Sequence, residues 1–536
     1  MLAIAVSIIN GALLCVMSYR LIHIFQLGGY RVRPLVNWLM DRRVGFYTRL
    51  VALTLLGIGS MMVVNVLFDS FTDNIYLSFL GLIFYFSLGV VFCTNMNRKK
   101  ARVSLRYTAR VQRLYVPIAI LSGLLTYVFL WLGGQVFGGW IRFSLIAVIP
   151  LFLPMILITA GYIIWPVEAL VRQFYIRKAK RRLNQPQFTN LVRIGITGSY
   201  GKTSCKNILA SMIEKKFKTT KSPSSFNTPM GFAKTVNNIL ADDTEVLIFE
   251  MGLRYRRDIK TLAKLFKPMH GILTGIGTQH IETMRTVEAI KAEKSELLRA
   301  LPDSGIAVLN GESPGCVEIY DELDLKTRIL TGVDKDMDFC AQNVRVTPDG
   351  CMFDLKLNQE VISCTTKLLG KHNIENILVC ATLAFMLGVP SDLIAQAVAG
   401  LEATPHRLEL IKSANGVLIL DDSYNASEQG TQAALDVLSL FEGKKVVQTP
   451  GIVEQGSRAH EVNFKYAKRI AKVADIVIVV GEFNRQAILD GLDSAKFNNE
   501  HIYVAKGLDE VKELYPKILS GGDVLLIAND LPDNFV

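Results

Sequence analysis

Hydrophobic positions follow two regimes along this chain. Over the first 165 residues they form long runs almost free of charge, roughly 2–19, 50–68, 75–93, 115–137 and 143–165. About 20 apolar residues cross a hydrocarbon core of about 30 Å, so the pattern predicts five transmembrane helices. Core helices of a soluble protein would rarely supply five such runs in succession. Beyond residue 190 the apolar runs shorten to strand length, at 191–197, 246–250, 271–276, 444–447, 474–480 and 524–527, with helical periodicity between them. That alternation predicts α/β architecture. The expected organisation is an N-terminal all-α transmembrane domain of five helices (1–185), a central α/β domain (186–403) and a Rossmann-like α/β domain (404–536). A short linker, about 183–190, follows the helices.

Charge changes the picture in one respect. The 536 residues carry a net charge of +11, which invites a polyanion-binding reading. Residues 1–185 hold 20 Lys and Arg against four acids, Asp41, Asp69, Asp73 and Glu168, while the remainder holds 39 bases and 44 acids. The excess is thus a topology signal, and a nucleic-acid partner is not expected. Segments 20–49 and 94–114 are rich in arginine and lysine, as is Arg177-Lys-Ala-Lys-Arg-Arg182, whereas 69–74 and 138–142 are not. Basic loops belong on the cytoplasmic face, which places the N-terminus outside, the α/β portion in the cytoplasm and the chain in the cell membrane as a multi-pass protein. The first run lacks a basic n-region, so a retained anchor is expected. No run has a central Asp, Glu or Lys, which argues against an ion path. The eight cysteines are scattered without CxxC spacing, as expected of reduced thiols rather than a disulfide framework or zinc site.

The chemistry gathers around Thr197-Gly-Ser-Tyr-Gly-Lys-Thr-Ser204, a glycine-rich turn between a predicted strand and a predicted helix. Backbone N–H groups of such a turn cradle phosphates at a helix N-terminus. Lys202 would reach the β/γ-phosphates and the Thr203 hydroxyl would ligate Mg²⁺. The general pattern wants glycine six residues before Lys202, where this chain has Ile196. Leu519-Ser-Gly-Gly-Asp523 is read as a loop before the last strand. In a doubly wound sheet the run Val246–Glu250 delivers Glu250 beside the phosphate loop, and a hard cation there needs oxygen ligands.

Downstream motifs sharpen this. Ser225-Phe-Asn-Thr-Pro-Met-Gly231, Phe249-Glu-Met-Gly252, Thr274-Gly-Ile-Gly-Thr-Gln-His-Ile-Glu282, Ala292-Glu-Lys-Ser-Glu-Leu297, Gly370-Lys-His-Asn-Ile-Glu-Asn376, Pro405-His-Arg-Leu-Glu409 and Leu420-Asp-Asp-Ser-Tyr-Asn-Ala426 follow in order. With the shifted glycine of the phosphate loop, residues 190–536 resemble the Mur ligase family. Glu-Met-Gly, Asp-Asp-Ser-Tyr-Asn-Ala and the stretch 301–310 look most like its MurF branch. The resemblance implies an ATP-dependent, ADP-forming ligase with a P-loop central domain and a C-terminal ligase domain, using two Mg²⁺ ions. It assigns ATP binding to Thr197, Gly198, Ser199, Tyr200, Gly201, Lys202, Thr203, Ser204, Asn373, Asn376, Arg407, Asp422 and Asn425. It assigns metal binding to Thr203, Glu250, His280 and a carbamoylated Lys294, and catalysis to Lys202, Lys294, His280 and Arg407, the last meeting the γ-phosphate. Read alone, a single His280 is more often structural, and Lys294 is a helix charge among Lys291, Glu293 and Glu296.

The implied reaction activates an acceptor carboxylate as an acyl phosphate, which the amine of an amino acid or dipeptide then attacks. Three features depart from the family. Membrane runs stand in place of the UDP-sugar-binding domain, so the expected partners are membrane lipid and a nucleotide- or lipid-linked envelope precursor. Asn-Ala-Asn-Pro continues here as Asn425-Ala-Ser-Glu428, and the usual Lys-Gly-Ser-Arg is absent near the C-terminus. Competing readings are a capsule-type poly-amino-acid ligase coupled to export, an ATP-dependent transporter, and a non-catalytic scaffold. Retention of the nucleotide-side residues argues against the last.

Overall fold

The computed structural model describes residues 2–41, 43–68, 75–97, 104–136, 141–224, 226–424, 427–453 and 455–529. The chain divides into two compact units between residues 173 and 174. The first is helical throughout. The helix Ala109–Val136 and the continuous helical run Leu145–Leu183 are long and apolar enough to cross a membrane. The helices Leu2–Met17 and Tyr19–Leu27, bent by 45°, make a third candidate if they form one span. The second and third expected runs do form helices, Arg43–Phe68 and Ile75–Asn97. Their described apolar stretches, Phe46–Ser60 and Gly81–Phe92, are shorter than a crossing. By length and composition, two of the described helices qualify as candidate spans, or three if the bent pair is one span, against the five expected. The last run is also less regular than expected. Within it Leu145–Phe152 form a 3₁₀ helix containing Pro150, whose missing N–H and ring disfavour α-helical hydrogen bonding.

The second unit contains two sheets. In the first, the strands β1 (Val192–Thr197), β2 (Thr219–Lys221), β3 (Val246–Glu250), β4 (His270–Leu273), β5 (Ile306–Asn310), β6 (Thr327–Val333), β7 (Phe339–Thr347), β8 (Gly350–Leu357) and β9 (Glu360–Thr366) lie in the order β2-β3-β1-β4-β5-β6-β7-β8-β9. The strands from β2 through β7 pair parallel, and β7, β8 and β9 extend the sheet antiparallel. β3, β4 and β5 are buried at every position, which is why they read as continuous apolar runs.

Helices cover both faces. Lys202–Ile213, Lys371–Met386 and Ser391–Ala399 pack one core. Pro229–Asn238, Asp258–Phe266, Val287–Arg299 and Pro314–Glu322 pack the other, with Phe232, Phe249 and Phe266 in mutual contact at 5.4–5.8 Å between ring centroids. The chain leaves β1 toward β3 on one side and returns past it to β4 on the other. Ile196 pairs Glu250, and Thr197 pairs Leu273. The carboxyl ends of β1, β3 and β4 therefore come level at the switch point, where open α/β sheets form their binding crevice.

In the second sheet, β10 (Glu409–Lys412), β11 (Leu418–Asp422), β12 (Lys445–Thr449), β13 (Ile476–Val480), β14 (Ile502–Ala505) and β15 (Val524–Ala528) lie in the order β10-β11-β15-β12-β13-β14. Only β10 runs antiparallel to its neighbour among these described strands. Both faces again carry buried apolar residues.

Candidate functional site

The phosphate loop forms as the sequence predicts. β1 ends at Thr197 and the helix Lys202–Ile213 begins after Gly201, whose φ is +76°. Glycine adopts that conformation without the steric cost of a side chain, and a Cβ at this position would also meet the Asn376 amide. The loop is anchored from β4: Ser199 N–H donates to Gly275 O at 2.8 Å, and Gly277 N–H donates to Ser199 Oγ at 2.8 Å. Thr197 Oγ1 donates to Met251 O at 3.0 Å, tying β1 to β3.

Two amines converge on one carbonyl. Lys202 Nζ and Lys294 Nζ each donate to Gly198 O at 2.7 Å. Burial lowers the Lys202 ammonium to about 8, with Glu250 opposing and Arg407 reinforcing the change. Lys294, fully buried, lies well below the usual lysine range, chiefly from burial and secondarily from the Lys202 charge. His280, at φ +66°, is lowered to about 3 by burial, with Lys202, Lys294 and Arg254 adding to the effect. It is a neutral imidazole at neutral pH. The structure thus gathers Lys202, Lys294 and His280, which lie far apart in sequence, around the phosphate loop.

On the other side, Thr203 Oγ1 donates to Glu250 Oε2 at 2.9 Å. Glu250 is only 2% exposed and also takes Asn227 Nδ2 at 3.4 Å. Lys206 Nζ lies 3.4 Å from the same Oε2 and donates to Ser224 O. This buried ion pair was not foreseen, since a lysine mid-helix in Lys-Thr-Ser-Cys-Lys carries no motif signal. Among the described residues no three His, Cys, Asp or Glu side chains form a metal cluster. A hydroxyl and a carboxylate in contact nevertheless fit Mg²⁺, which takes one or two protein oxygens and completes its shell with phosphate and water.

Across from the loop, a cavity of about 680 Å³ is lined by Ser199–Ser204, Asn373, Asn376, Arg407 and Asp422 among others. Thr197, Gly198, Glu250, His280 and Lys294 do not line it. Asn376 Nδ2 donates to Asn373 Oδ1 at 3.5 Å, and Asn373 Nδ2 donates to Leu369 O at 2.9 Å, which fixes both amides at the start of their helix. Arg407 stacks over the Tyr424 ring, 4.4 Å from its centroid. Asp422 is raised to about 7 by burial, against the opposing pull of Arg407. Asn425 lies outside the described residues. Sequence reasoning missed His372 and Gln279, which line this cavity with a buried Nδ1 and Oε1 lacking hydrogen-bond partners. Burial lowers His372 to about 4, so its ring is neutral. His372 sits inside the quoted Gly-Lys-His-Asn motif, and its place at the expected helix start was the available signal.

A phosphate loop at a doubly wound switch point, closed by an arginine and a carboxylate from a second α/β domain, defines a two-domain nucleotide-binding protein of the P-loop type. Residues 196–384 match the model of the Mur ligase middle domain, and residues 406–529 that of the Mur ligase glutamate ligase domain. The chain belongs to the Mur ligase family, and these two domains are MurF-like.

The chain is 29% identical over 265 residues to the UDP-N-acetylmuramoyl-tripeptide--D-alanyl-D-alanine ligase of Bacillus subtilis, across 49% of this chain and 56% of that one. It is 27% identical over 318 residues to the Escherichia coli protein of the same name, across 59% and 67%. It therefore spans little more than half the length of the first relative. Its fold is similar to MurF from Thermotoga maritima in complex with ADP, at a TM-score of 0.60 and 23% identity over 68% of this chain and 81% of that one. The corresponding values for MurF from Acinetobacter baumannii are 0.58, 22%, 68% and 78%.

Proposed function

We propose that this chain is a membrane-anchored, ATP-dependent, ADP-forming ligase that makes an amide bond on a cell-envelope precursor. The observation that carries the reading is the convergence of Lys202, Arg407 and the Thr203–Glu250 pair around one phosphate loop. The acceptor carboxylate oxygen bonds to the γ-phosphorus as the β–γ bridging bond breaks and ADP leaves. The amine then attacks the acyl carbon, phosphate departs, and the amine loses its proton. When bound, Mg²⁺ would be held by Thr203 and Glu250, with His280 and a carbamoylated Lys294 at a second ion, and would neutralise charge on the phosphates. The rest is positioning and electrostatics by the chain itself. Loop N–H groups and Lys202 receive the phosphates, Arg407 meets the γ-phosphate, and Asn373, Asn376 and Asp422 orient the nucleotide.

The relatives' names point to a UDP-linked muramoyl tripeptide as acceptor and D-alanyl-D-alanine as amine. The N-terminal helical unit favours placement at the inner face of the cell membrane, N-terminus outside. It also favours a lipid-linked form of the acceptor as an alternative to the nucleotide-linked one. The charge division along the chain supports the orientation. The five-span arrangement belongs to this proposal, as do the domain boundaries near 185 and 403. The test is phosphate release by the full-length chain in detergent, with UDP-linked and lipid-linked tripeptides each offered with D-alanyl-D-alanine. Turnover that requires both a carboxylate acceptor and an amine supports the ligase. ATP hydrolysis indifferent to both would refute it.

A further inference from the structure

In the helical unit, Arg110 and Arg113 share a face of the helix Ala109–Val136, and Glu168 and Arg172 share a face of Leu153–Leu183. Arg113 Nε and Nη2 both reach Glu168 Oε1 at 2.7 Å, and Arg110 Nε lies 3.7 Å from Oε2. Arg110 also stacks on Tyr30, its guanidinium carbon 3.9 Å from the ring centroid. Glu168 is the sole acid on either helix. Arg172, one turn further along, forms no ion pair among the described residues. Two guanidinium groups thus share one carboxylate beside the unpaired charge of Arg172, which leaves a local surplus of two positive charges.

An apolar track begins next to this cluster. Val116, Ile120, Leu124 and Tyr127, each 44–59% exposed, continue the face of Arg113. At 1.5 Å per residue they run for about 16 Å, roughly half of a hydrocarbon core. Tyr107 and Trp165, exposed near the cluster in sequence, are residues of the kind that settle at a membrane–water boundary.

We infer that this end of the helical unit binds a membrane lipid through a head group of about two or more negative charges, a terminal phosphate or diphosphate ester, with its chain along the apolar track. Two unmatched positive charges suit a phosphate monoester, which carries about −1.5 to −2, better than a singly charged phosphodiester lipid. Guanidinium forks match phosphate oxygens in pairs. The inference rests on the proposal that this unit lies in a membrane, and it specifies the lipid chemistry which that proposal leaves open.

The test uses the full-length chain in phosphatidylcholine nanodiscs, titrated with farnesyl diphosphate. Inorganic diphosphate supplies a head-only arm, farnesol a tail-only arm, and phosphatidylglycerol a monoanionic competitor. Farnesyl diphosphate should saturate a site at least about tenfold more tightly than either fragment, and excess phosphatidylglycerol should not displace it. Arg172→Gln, which breaks no ion pair, should weaken binding about tenfold, whereas Glu168→Gln should not weaken it. Absence of saturable binding, equal displacement by phosphatidylglycerol, or an unchanged affinity in Arg172→Gln would overturn the inference. Inorganic diphosphate matching farnesyl diphosphate would overturn it in favour of a free-anion site. Alkaline carbonate extraction separates the two levels: a chain released from membranes refutes both the anchoring and the lipid site. A retained chain that does not bind the probe refutes the lipid site alone.

Discussion

The buried Lys206–Glu250 pair offers the sharpest energetic test of how the site is held. Lys206 is 1% exposed and Glu250 2%, with Nζ and Oε2 3.4 Å apart. Lys206→Met fills similar space with apolar atoms but leaves the carboxylate, among the described residues, with only Thr203 at 2.9 Å and Asn227 at 3.4 Å as side-chain hydrogen-bond donors. Breaking a buried pair by removing one partner costs about 3–5 kcal/mol, because an uncompensated charge remains. Adding Glu250→Gln to Lys206→Met removes that charge and keeps an acceptor for Thr203, so most of the loss should return. Native-state hydrogen exchange of the full-length chain in micelles reads the effect locally, as the opening free energy of Lys202–Ile213 and β3. The four species form a double-mutant cycle with a coupling of a few kcal/mol. A Lys206→Met loss below about 1 kcal/mol, or no recovery in the double variant, would show that the pair does not hold the phosphate-loop helix to β3.

Three further outcomes follow from the same site. Lys202→Ala should abolish ATP-dependent ligation, checked by phosphate release with both co-substrates present; wild-type turnover would refute its role. Gly201→Ala forces a side chain into φ +76° and against Asn376, and should weaken nucleotide binding about five- to 150-fold by titration calorimetry, as strain of roughly 1–3 kcal/mol implies. Asp422 has a folded value of about 7 against an ordinary 3.8, so the native state of the nucleotide-free protein binds the extra proton between these limits. Stability therefore falls as pH rises through that window. Asp422→Asn should flatten this part of the pH–stability curve, and a variant with the wild-type slope would refute the assignment.

What was legible in the sequence was what local chemistry confines to a few consecutive residues. The phosphate loop needs a strand, a turn with glycine at φ +76° and a helix start, all within Val192–Ile213. β3 and β4 announced themselves because burial on both faces leaves no polar position. The antiparallel extension β7–β9 was not anticipated. Its strands alternate buried and exposed positions around a bulge between Gln342 and Arg345, which blurs the period that would reveal them. In the helical unit, apolar run length signals hydrocarbon compatibility but not where Pro150 shifts the backbone to 3₁₀.

Long-range pairing obeys no spacing rule. Lys202 and Lys294 meet at Gly198 O because the helix Val287–Arg299 packs against β1 and β4, and Lys206 meets Glu250 because β1 lies beside β3. The contrast has a mechanistic consequence. The phosphate loop is built from contiguous backbone, so it is legible as a motif. A site assembled from distant side chains can be rebuilt on new elements without leaving such a trace. The arginine cluster around Glu168 is assembled in this way, by two helices whose paired residues lie 55 positions apart.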